Sequence, residues 1–361
     1  MAEPQLSEMA VYRARPTVRI ESEEYPMVSE LISKMEMTER EGGMSALELR
    51  VSNLASDTRG NADLAFEDDR ILKLGAKIQI YGGDEDAPRE IFQGAITGLE
   101  AEFPSDGPPE LIVLAEDVFQ QARMGRRTKV HEDVTIAGLA NDLASALSLT
   151  PTVTGFTDSI GTQIQLNESD LAFLRRLLAR YDGDMQVVGT ELHVSPRGEV
   201  QRGTLELELH SQLRRARVLA DLAHQVTEVT VSGWDHVQGQ RVKGTSRGAH
   251  AGPGAGRKGS QLLSDTLGER SEHVGHLPVT TAEEAQALAD AVFDCRARRF
   301  VRVDATSEGN PSLRVGAHVT LTGMGRRFDN TYYVVGAHHR YDLRRGYETD
   351  FTAECAFWGE G

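Results

Sequence analysis

Five stretches within the first 120 residues alternate apolar and polar positions with a period of two: PTVRIES, ALELRVSN, GAKIQIYGG, REIFQGAITGLEAEF and ELIVLAED. Gly, Asp and Pro turns separate them, which is the pattern of half-buried strands in a barrel or sandwich. From about Arg126 the period lengthens. Thr135 precedes Ile136, Leu139, Ala140, Leu143 and Leu147, one apolar helix face behind a capping residue. In NESDLAFLRRLLARYDGDMQVVGTELHV, Ser169 is placed to cap a second helix, with Glu168 and Asp170 near the positive end of its dipole and Arg180 near the negative end. Leu171, Leu174 and Leu178, flanked by Phe173 and Leu177, form its oily face. Gly183 is expected to leave that helix through positive φ, and Gly189-Thr190 to turn a two-strand ribbon. This part reads as a small structural subdomain without chemistry of its own.

Between Gly244 and Ser264 the chain is glycine-heavy and nearly free of large apolar residues, so a loop or mobile linker is expected. Thr281 and Glu284 then form a capping box ahead of a helix with Ala285, Leu288, Ala289, Val292 and Cys295 on one stripe. Strand pattern resumes to the end. One strand pattern occurs twice: LKLGAKIQIYG at Leu72 to Gly82 aligns without a gap on LRVGAHVTLTG at Leu313 to Gly323. In each copy a glycine turn feeds a half-buried strand, and two further strands follow. Two similar barrels in one chain account for this most simply.

Charge and composition narrow the function classes. Thirty-nine Lys and Arg against 55 Asp and Glu give a formal charge of −16, which disfavours sequence-independent binding to nucleic acid. No stretch approaches the ~18 uninterrupted apolar residues of a membrane span, and the start MAEPQLSEMA lacks the parts of a secretory leader, so a soluble, unprocessed chain is expected. Cys295 and Cys355 are too few for a disulfide framework and read as reduced core residues.

Catalytic patterns fail on context. Gly244-Thr-Ser246-Arg-Gly248 has the letters of a nucleophile elbow, but a glycine-rich loop follows where a helix is required. GPGAGRKGS lacks the spacing of a phosphate-cradling loop. His338 and His339 are adjacent in a strand and leave opposite faces; His273 and His276 lack partner ligands. Asp182 and Asp184 read as a solvated turn, not a calcium loop. Trp234, after a glycine, reads as a core-filling ring. No catalytic residue, metal ligand or cofactor is expected.

Four segments in order carry a family resemblance: NESDLAFLRRLLARYDGDM, VTVSGWD, EGNPSLRVGAHVTLTG and NTYYVVGAHHRYDLRRGYETDF. Together they resemble the phage late control gene D family, which includes tail hubs and the hub portion of VgrG spike proteins. The positions matching the family pattern are Ser169, Asp170, Leu171, Phe173, Leu174, Gly233, Trp234, Asp235, Gly309, Asn310, Pro311, Gly316, Tyr332, His339 and Gly346.

The resemblance implies a mainly β fold with an α+β insert: two antiparallel β-barrels like the tail-tube protein, plus a small α/β domain. The expected boundaries are an N-terminal arm and first barrel at 1–120, the α/β domain at 121–199, the second barrel at 200–243 and 299–361, and an insertion at 244–298. It further implies a structural baseplate hub that forms a homotrimer, meets the inner tail-tube protein on one face and a trimeric spike on the other, and touches other baseplate proteins. The sequence stops at AECAFWGEG, so the spike is expected to be a separate chain. The expected location is the bacterial cytoplasm during assembly, then a phage tail or phage-like injection particle. The rival readings are a tail-tip cell-wall hydrolase using Ser246 or an unplaced carboxylate pair, and an effector-carrying VgrG-type spike.

Overall fold

The computed structural model describes residues 12–56, 60, 62–84 and 88–359; residues 1–11, where the N-terminal arm is expected to begin, lie outside them. The chain groups into two compact units, one of residues up to 120 with 306–314 and 336–350, the other of 121–305, 315–335 and 351–361.

The first unit contains β1 (Tyr12–Ile20), β2 (Glu23–Glu24), α1 (Pro26–Glu30), β3 (Ile32–Arg40), β4 (Ala46–Ser52), β5 (Leu54–Ser56), β6 (Ala62–Leu64), β7 (Lys77–Asp84), β8 (Arg89–Glu102) and β9 (Glu110–Glu116). Six of these strands lie in the order β3-β4-β9-β8-β7-β1, every neighbour antiparallel. Their alternating apolar residues point to one side. Val18 and Ile20, Met35 and Met37, Leu47 and Leu49, Ile78 and Ile80, and Val113 and Ala115 come from five different strands into one buried cluster. At roughly 1.5–3 kcal/mol for each large apolar side chain fully buried, that shared cluster is the main stabilising feature of this sheet.

Between the two runs of strands come α2 (Phe119–Met124), β10 (Arg127–His131), α3 (Ile136–Ala146), β11 (Thr150–Val153), β12 (Gln163–Glu168), α4 (Asp170–Arg180), β13 (Gly183–Val188) and β14 (Glu191–Pro196). Thr135 caps α3, its Oγ1 accepting the Gly138 N–H at 2.9 Å, and Ser169 caps α4, accepting from Ala172 at 3.2 Å. Both helices bury the face that the sequence marks, Ile136, Leu139, Ala140 and Leu143 on one and Leu171, Phe173, Leu174, Leu177 and Leu178 on the other. β13 and β14 pair through Val188 opposite Glu191, leaving Gly189-Thr190 as the two-residue turn, with Gly189 at φ +58°.

The rest of the chain holds β15 (Thr204–Glu208), β16 (Leu213–Ala220), β17 (Glu228–Asp235), β18 (Gln240–Ser246), β19 (Arg257–Lys258), α5 (Gly259–Leu267), β20 (Ser271–Val274), α6 (Ala282–Arg298), β21 (Val301–Glu308), β22 (His318–Thr322), β23 (Asn330–Asp342), β24 (Gly346–Cys355) and β25 (Phe357–Trp358). Here six strands lie in the order β16-β21-β24-β23-β22-β15. Chain order is the same in both runs: β1, β3, β4, β7, β8, β9 correspond one for one to β15, β16, β21, β22, β23, β24, and the substitution turns one sheet order into the other. The repeat differs in one direction, since β15 is parallel to β22 whereas β1 is antiparallel to β7.

Two boundaries expected from the sequence need correction. Residues 228–246 do not continue the second run; β17 and β18 form a three-stranded sheet with β20, and Val229, Val231 and Val242 bury against Ala285, Leu288 and Ala289 of α6. The segment entering between β16 and β21 is therefore 221–300. Gly244–Ser264 is not simply a loop or linker either, because it ends in β19, paired with β25, and the first residues of α5. Its glycines serve close approach: a Cβ on Gly254 would stand 2.6 Å from Cys355 Sγ, and one on Gly256 2.0 Å from the Trp358 carbonyl oxygen.

The repeated sequence pattern occupies the same turn in both runs. Gly75 and Gly316 have φ +83° and +88°. Gly75 N–H donates to the Ile96 carbonyl at 2.8 Å and Ile96 N–H to the Ala76 carbonyl at 2.9 Å; Gly316 donates to Val334 at 3.0 Å and Val334 to Ala317 at 2.9 Å. Leu72, Ala76, Ile78 and Ile80 are buried, as are Leu313, Ala317, Val319 and Leu321. A positive φ favours glycine because any Cβ crowds the following carbonyl there. Gly75→Ala meets open space and is expected to cost about 1–2 kcal/mol from backbone strain alone. Gly316→Ala adds contact at 2.6 Å with Arg202 Nη1 and 2.9 Å with Val200 Cγ1, so denaturant unfolding should show a larger loss at Gly316 than at Gly75. The reverse ranking would contradict the turn assignment.

Candidate functional site

A cluster of charged side chains in the second unit surrounds the corner where α4 gives way to β13. Asp182, at φ +50°, makes the turn that Gly183 is expected to make. Gly183 is required there for space: a Cβ would stand 2.4 Å from Leu178 Cδ2. Both oxygens of Asp182 are gripped by the Arg298 guanidinium from the last turn of α6, and the fully buried Asp184 is paired with Arg202. The expected solvated turn is thus two ion pairs, a half-buried one at Asp182 and one with its carboxylate fully buried at Asp184. Arg298 and Arg197 also approach Glu354 at 3.9 and 3.8 Å, and the Arg197 guanidinium stacks 4.0 Å from the Tyr333 ring centre.

On α6, Thr281 Oγ1 accepts the Glu284 N–H at 3.1 Å, while the Glu284 carboxylate reaches back one residue further than a capping box requires, to Thr280 N–H at 3.1 Å. Ala285, Leu288 and Ala289 are buried, and Val292 and Cys295 lie half-buried at the margin of the stripe. Asp294 accepts the N–H groups of Ala249 and His250 at 3.1 and 2.8 Å. Burial pushes the Asp294 carboxyl up to about 6, against those two N–H groups and with the Asp182 charge adding to the rise. Two adjoining clefts of 530 and 450 Å³ share Asp182, Arg197, Gly198, Ala249 and His250. Arg298 holds Asp182 and two backbone amides hold Asp294, so this chemistry fixes the position of chain segments.

The residues screened for chemistry are placed as follows. Ser246 is 3% exposed; its hydroxyl donates to Asp290 and accepts the Gly248 N–H, which leaves it committed and shielded. His338 and His339 do leave opposite faces. His339 is fully buried, with Nδ1 2.8 Å from the Tyr347 hydroxyl, and burial followed by the Arg314 charge pushes it down to about 3, so it is neutral at ordinary pH. His273 Nε2 lies 2.9 Å from Ser232 Oγ, a hydrogen bond and not a metal-ligand set. Cys355 is a buried hydrophobe whose thiol burial pushes up to about 12. Among the described residues, no three His, Cys, Asp or Glu side chains gather as metal ligands would, and no helix is long and apolar enough to cross a membrane.

The family-pattern positions fall into separate places. Ser169, Asp170, Leu171, Phe173 and Leu174 build the first turns of α4, where Ser169 caps and the three apolar side chains are buried. Gly233 lets β17 touch the next segment, since a Cβ would stand 2.1 Å from the Val279 carbonyl oxygen, and Asp235 takes the Val237 and Gln238 N–H groups in the turn to β18. Trp234 is not a core ring; it is 51% exposed, because Val229, Val231 and Gly233 take the α6 side of the strand and the alternation sends Trp234 outward.

Gly309, Asn310, Pro311 and His339 come together in the first unit. Gly309 N–H bonds the Tyr347 carbonyl at 3.0 Å, Asn310 N–H bonds Thr349 Oγ1 at 3.1 Å, and Pro311 packs where a Cβ on Gly83 would stand. Gly316 makes the turn described above. Tyr332 is buried with its hydroxyl donating to the Phe328 carbonyl at 2.6 Å, and Gly346, at φ +74°, closes the turn into β24. Sequence reasoning missed the ion pairs of Asp182, Asp184, Arg202 and Arg298. Their only local signal is an Asp-Gly-Asp turn; the arginines that answer it are distant in the chain.

A family model described as the Alg8 N-terminal domain matches residues 51–342. Comparison with curated proteins returns no match. Among solved structures, the 43 kDa tail protein of prophage MuSo2 from Shewanella oneidensis has a TM-score of 0.67 at 14% identity, covering 94% of this chain and 97% of that one. A tail protein from Neisseria meningitidis MC58 has a TM-score of 0.65 at 13% identity, covering 94% and 96%. The Escherichia coli c3393 protein, a type VI secretion component similar to the T4 tail proteins gp27 and gp5, has a TM-score of 0.60 at 13% identity, covering 95% and 79%. At these identities the likeness is one of fold, and it agrees with the sequence resemblance to the late control gene D family.

The Asp294 carboxyl gives a test of the corner. Its folded value lies above its ordinary one, so the folded state binds the extra proton and stability falls as pH rises from about 4 through about 6. Relative to Asp294→Asn, the unaltered chain should lose on the order of 2–3 kcal/mol of unfolding free energy between pH 4 and pH 7. Parallel pH profiles for the two would contradict that environment.

Proposed function

The chain belongs to the Alg8 N-terminal domain family and has the fold of phage tail and type VI secretion proteins, and from there we propose that it is a structural baseplate hub. Three copies, each with two tube-like barrels, form a ring that meets a sixfold inner tube on one side and a threefold spike on the other. The observation that carries this reading is the duplicated six-strand order, with its matching turns at Gly75 and Gly316. A threefold ring of duplicated subunits repeats nearly the same surface six times, which a sixfold tube can stack on, while the differences between the halves leave true threefold contacts for a trimeric spike.

Binding geometry, not turnover, is the role this implies. Ser246, the one serine with an elbow-like sequence around it, is buried and hydrogen-bonded, and the carboxylates at the α4–β13 corner are held by guanidinium groups or backbone amides. The family-pattern positions support the same reading as structural residues: they cap α4, turn strands, and close the Tyr347 corner. The expected setting is a phage tail or phage-like injection particle.

Native mass spectrometry of the chain co-expressed with tail-tube and spike proteins tests the proposal. The expected result is a homotrimer that captures both partners at roughly six tube subunits and three spike chains per ring, the ratio that ring closure demands. A chain that stays monomeric and captures neither would overturn it.

A further inference from the structure

In the first run of strands the outer edge of β3 is occupied. Residues 336–342 of β23, the fifth strand of the second run, lie antiparallel along it, from Gly336 opposite Arg40 to Asp342 opposite Lys34. Three facing pairs fix the register: Met35 opposite Tyr341, which joins the buried core, Met37 opposite the buried His339, and Glu36 opposite Arg340.

The counterparts of those two strands have free edges among the described residues. β16, which corresponds to β3, ends its sheet path. β8 corresponds to β23, and the shared bonding of Ile96 and Val334 aligns Gly98 with Gly336, Glu100 with His338, Glu102 with Arg340 and Phe103 with Tyr341. The register of β7 along β8 stops at Ala95, and β9 takes the other side, so the backbone from Thr97 to Glu102 has one unmatched edge among the described residues.

We propose that β16 of one copy pairs antiparallel with the far half of β8 in the next copy of this chain, repeating between copies the pairing that β3 and β23 make within one. The proposal rests on the hub reading and names the surface that would close its ring. Three observations carry it. Phe103 is 68% exposed, whereas its counterpart Tyr341 is 5% exposed under the strand that covers it. Aligning Leu213 with Ile32, both buried first residues, matches Ala216 and Val218 to Met35 and Met37; the first pair is half-buried, the second wholly buried, as a missing neighbour would leave them.

Charge also matches, with its signs exchanged. Where Glu36 faces Arg340 inside the chain, the same register puts Arg217 opposite Glu102, with Glu100 one step along and Arg215 flanking. Arg215, Arg217, Glu100 and Glu102 are all exposed, and Glu102 also meets Arg50 of its own chain at 3.2 Å. Opposite charges directly across an antiparallel pair stabilise it and like charges destabilise it. An open edge lined with arginine avoids pairing with a second arginine-lined edge and accepts an acidic one. Because β16 and β8 are different surfaces, the contact is head-to-tail and can close into a ring.

The test is a full-length double variant, Glu102→Cys with Arg217→Cys, oxidised at low protein concentration and run on a non-reducing gel. Opposed residues of an antiparallel pair lie close enough for a disulfide, so covalent dimers and trimers are expected from the double variant and not from either single one. Glu102→Arg and Arg217→Glu should each weaken trimer formation several-fold, and combining them should restore it. A chain that trimerises with tube and spike but gives no covalent ladder and no charge rescue overturns this pairing and leaves the hub reading standing. A chain that neither cross-links nor assembles overturns both.

Discussion

A strand at the end of a sheet leaves a row of backbone N–H and C=O groups that must meet water, another segment or another chain. That requirement governs this molecule. Each run of six strands buries its apolar residues on one side and leaves edges at its ends; the edge of β3 is satisfied by residues 336–342 from the second run. The same question arises at β16, which ends its sheet path among the described residues. The chain shares its fold with phage tail proteins.

Within the second unit, the α/β and helical segments are tied to one another by paired charges and buried hydrogen bonds. Burying a carboxylate costs several kcal/mol unless a partner offsets it, and removing one partner of such a pair is expected to cost about 3–5 kcal/mol. Arg298 on Asp182 and Arg202 on Asp184 meet that condition at the turn between α4 and β13. Asp294 ties α6 to the 249–250 segment through two backbone N–H groups in the same way.

Much of this was legible in the sequence because it depends on local pattern. The caps at Thr135, Ser169 and Thr281, the buried helix faces behind them, the Gly189-Thr190 turn and the paired turns at Gly75 and Gly316 all follow from residues within a few positions of one another. β3 was less visible, since Met35 and Met37 alternate with Lys34 and Glu36, residue types that mark strands weakly. Long-range placement was harder still. Trp234 looked like a core ring because nothing nearby shows that Gly233 must face Val279, and the Asp182 turn looked solvated because Arg298 lies far along the chain. The glycines at 254 and 256 read as a flexible loop, although tight packing against the last strands selects them equally well. The family-pattern positions likewise say where the chain is constrained without saying whether the constraint is internal or shared with a partner.

Electron cryo-microscopy of the assembled ring, viewed along its axis with only threefold symmetry imposed, tests the central claim most directly. The two runs of each subunit should appear at the same radius and height, so that a rotation of about 60° lays every β3-β4-β9-β8-β7 sheet on a β16-β21-β24-β23-β22 sheet. A map in which the two runs sit at different radii, or in which the subunits meet through faces that leave β16 bare, would contradict it.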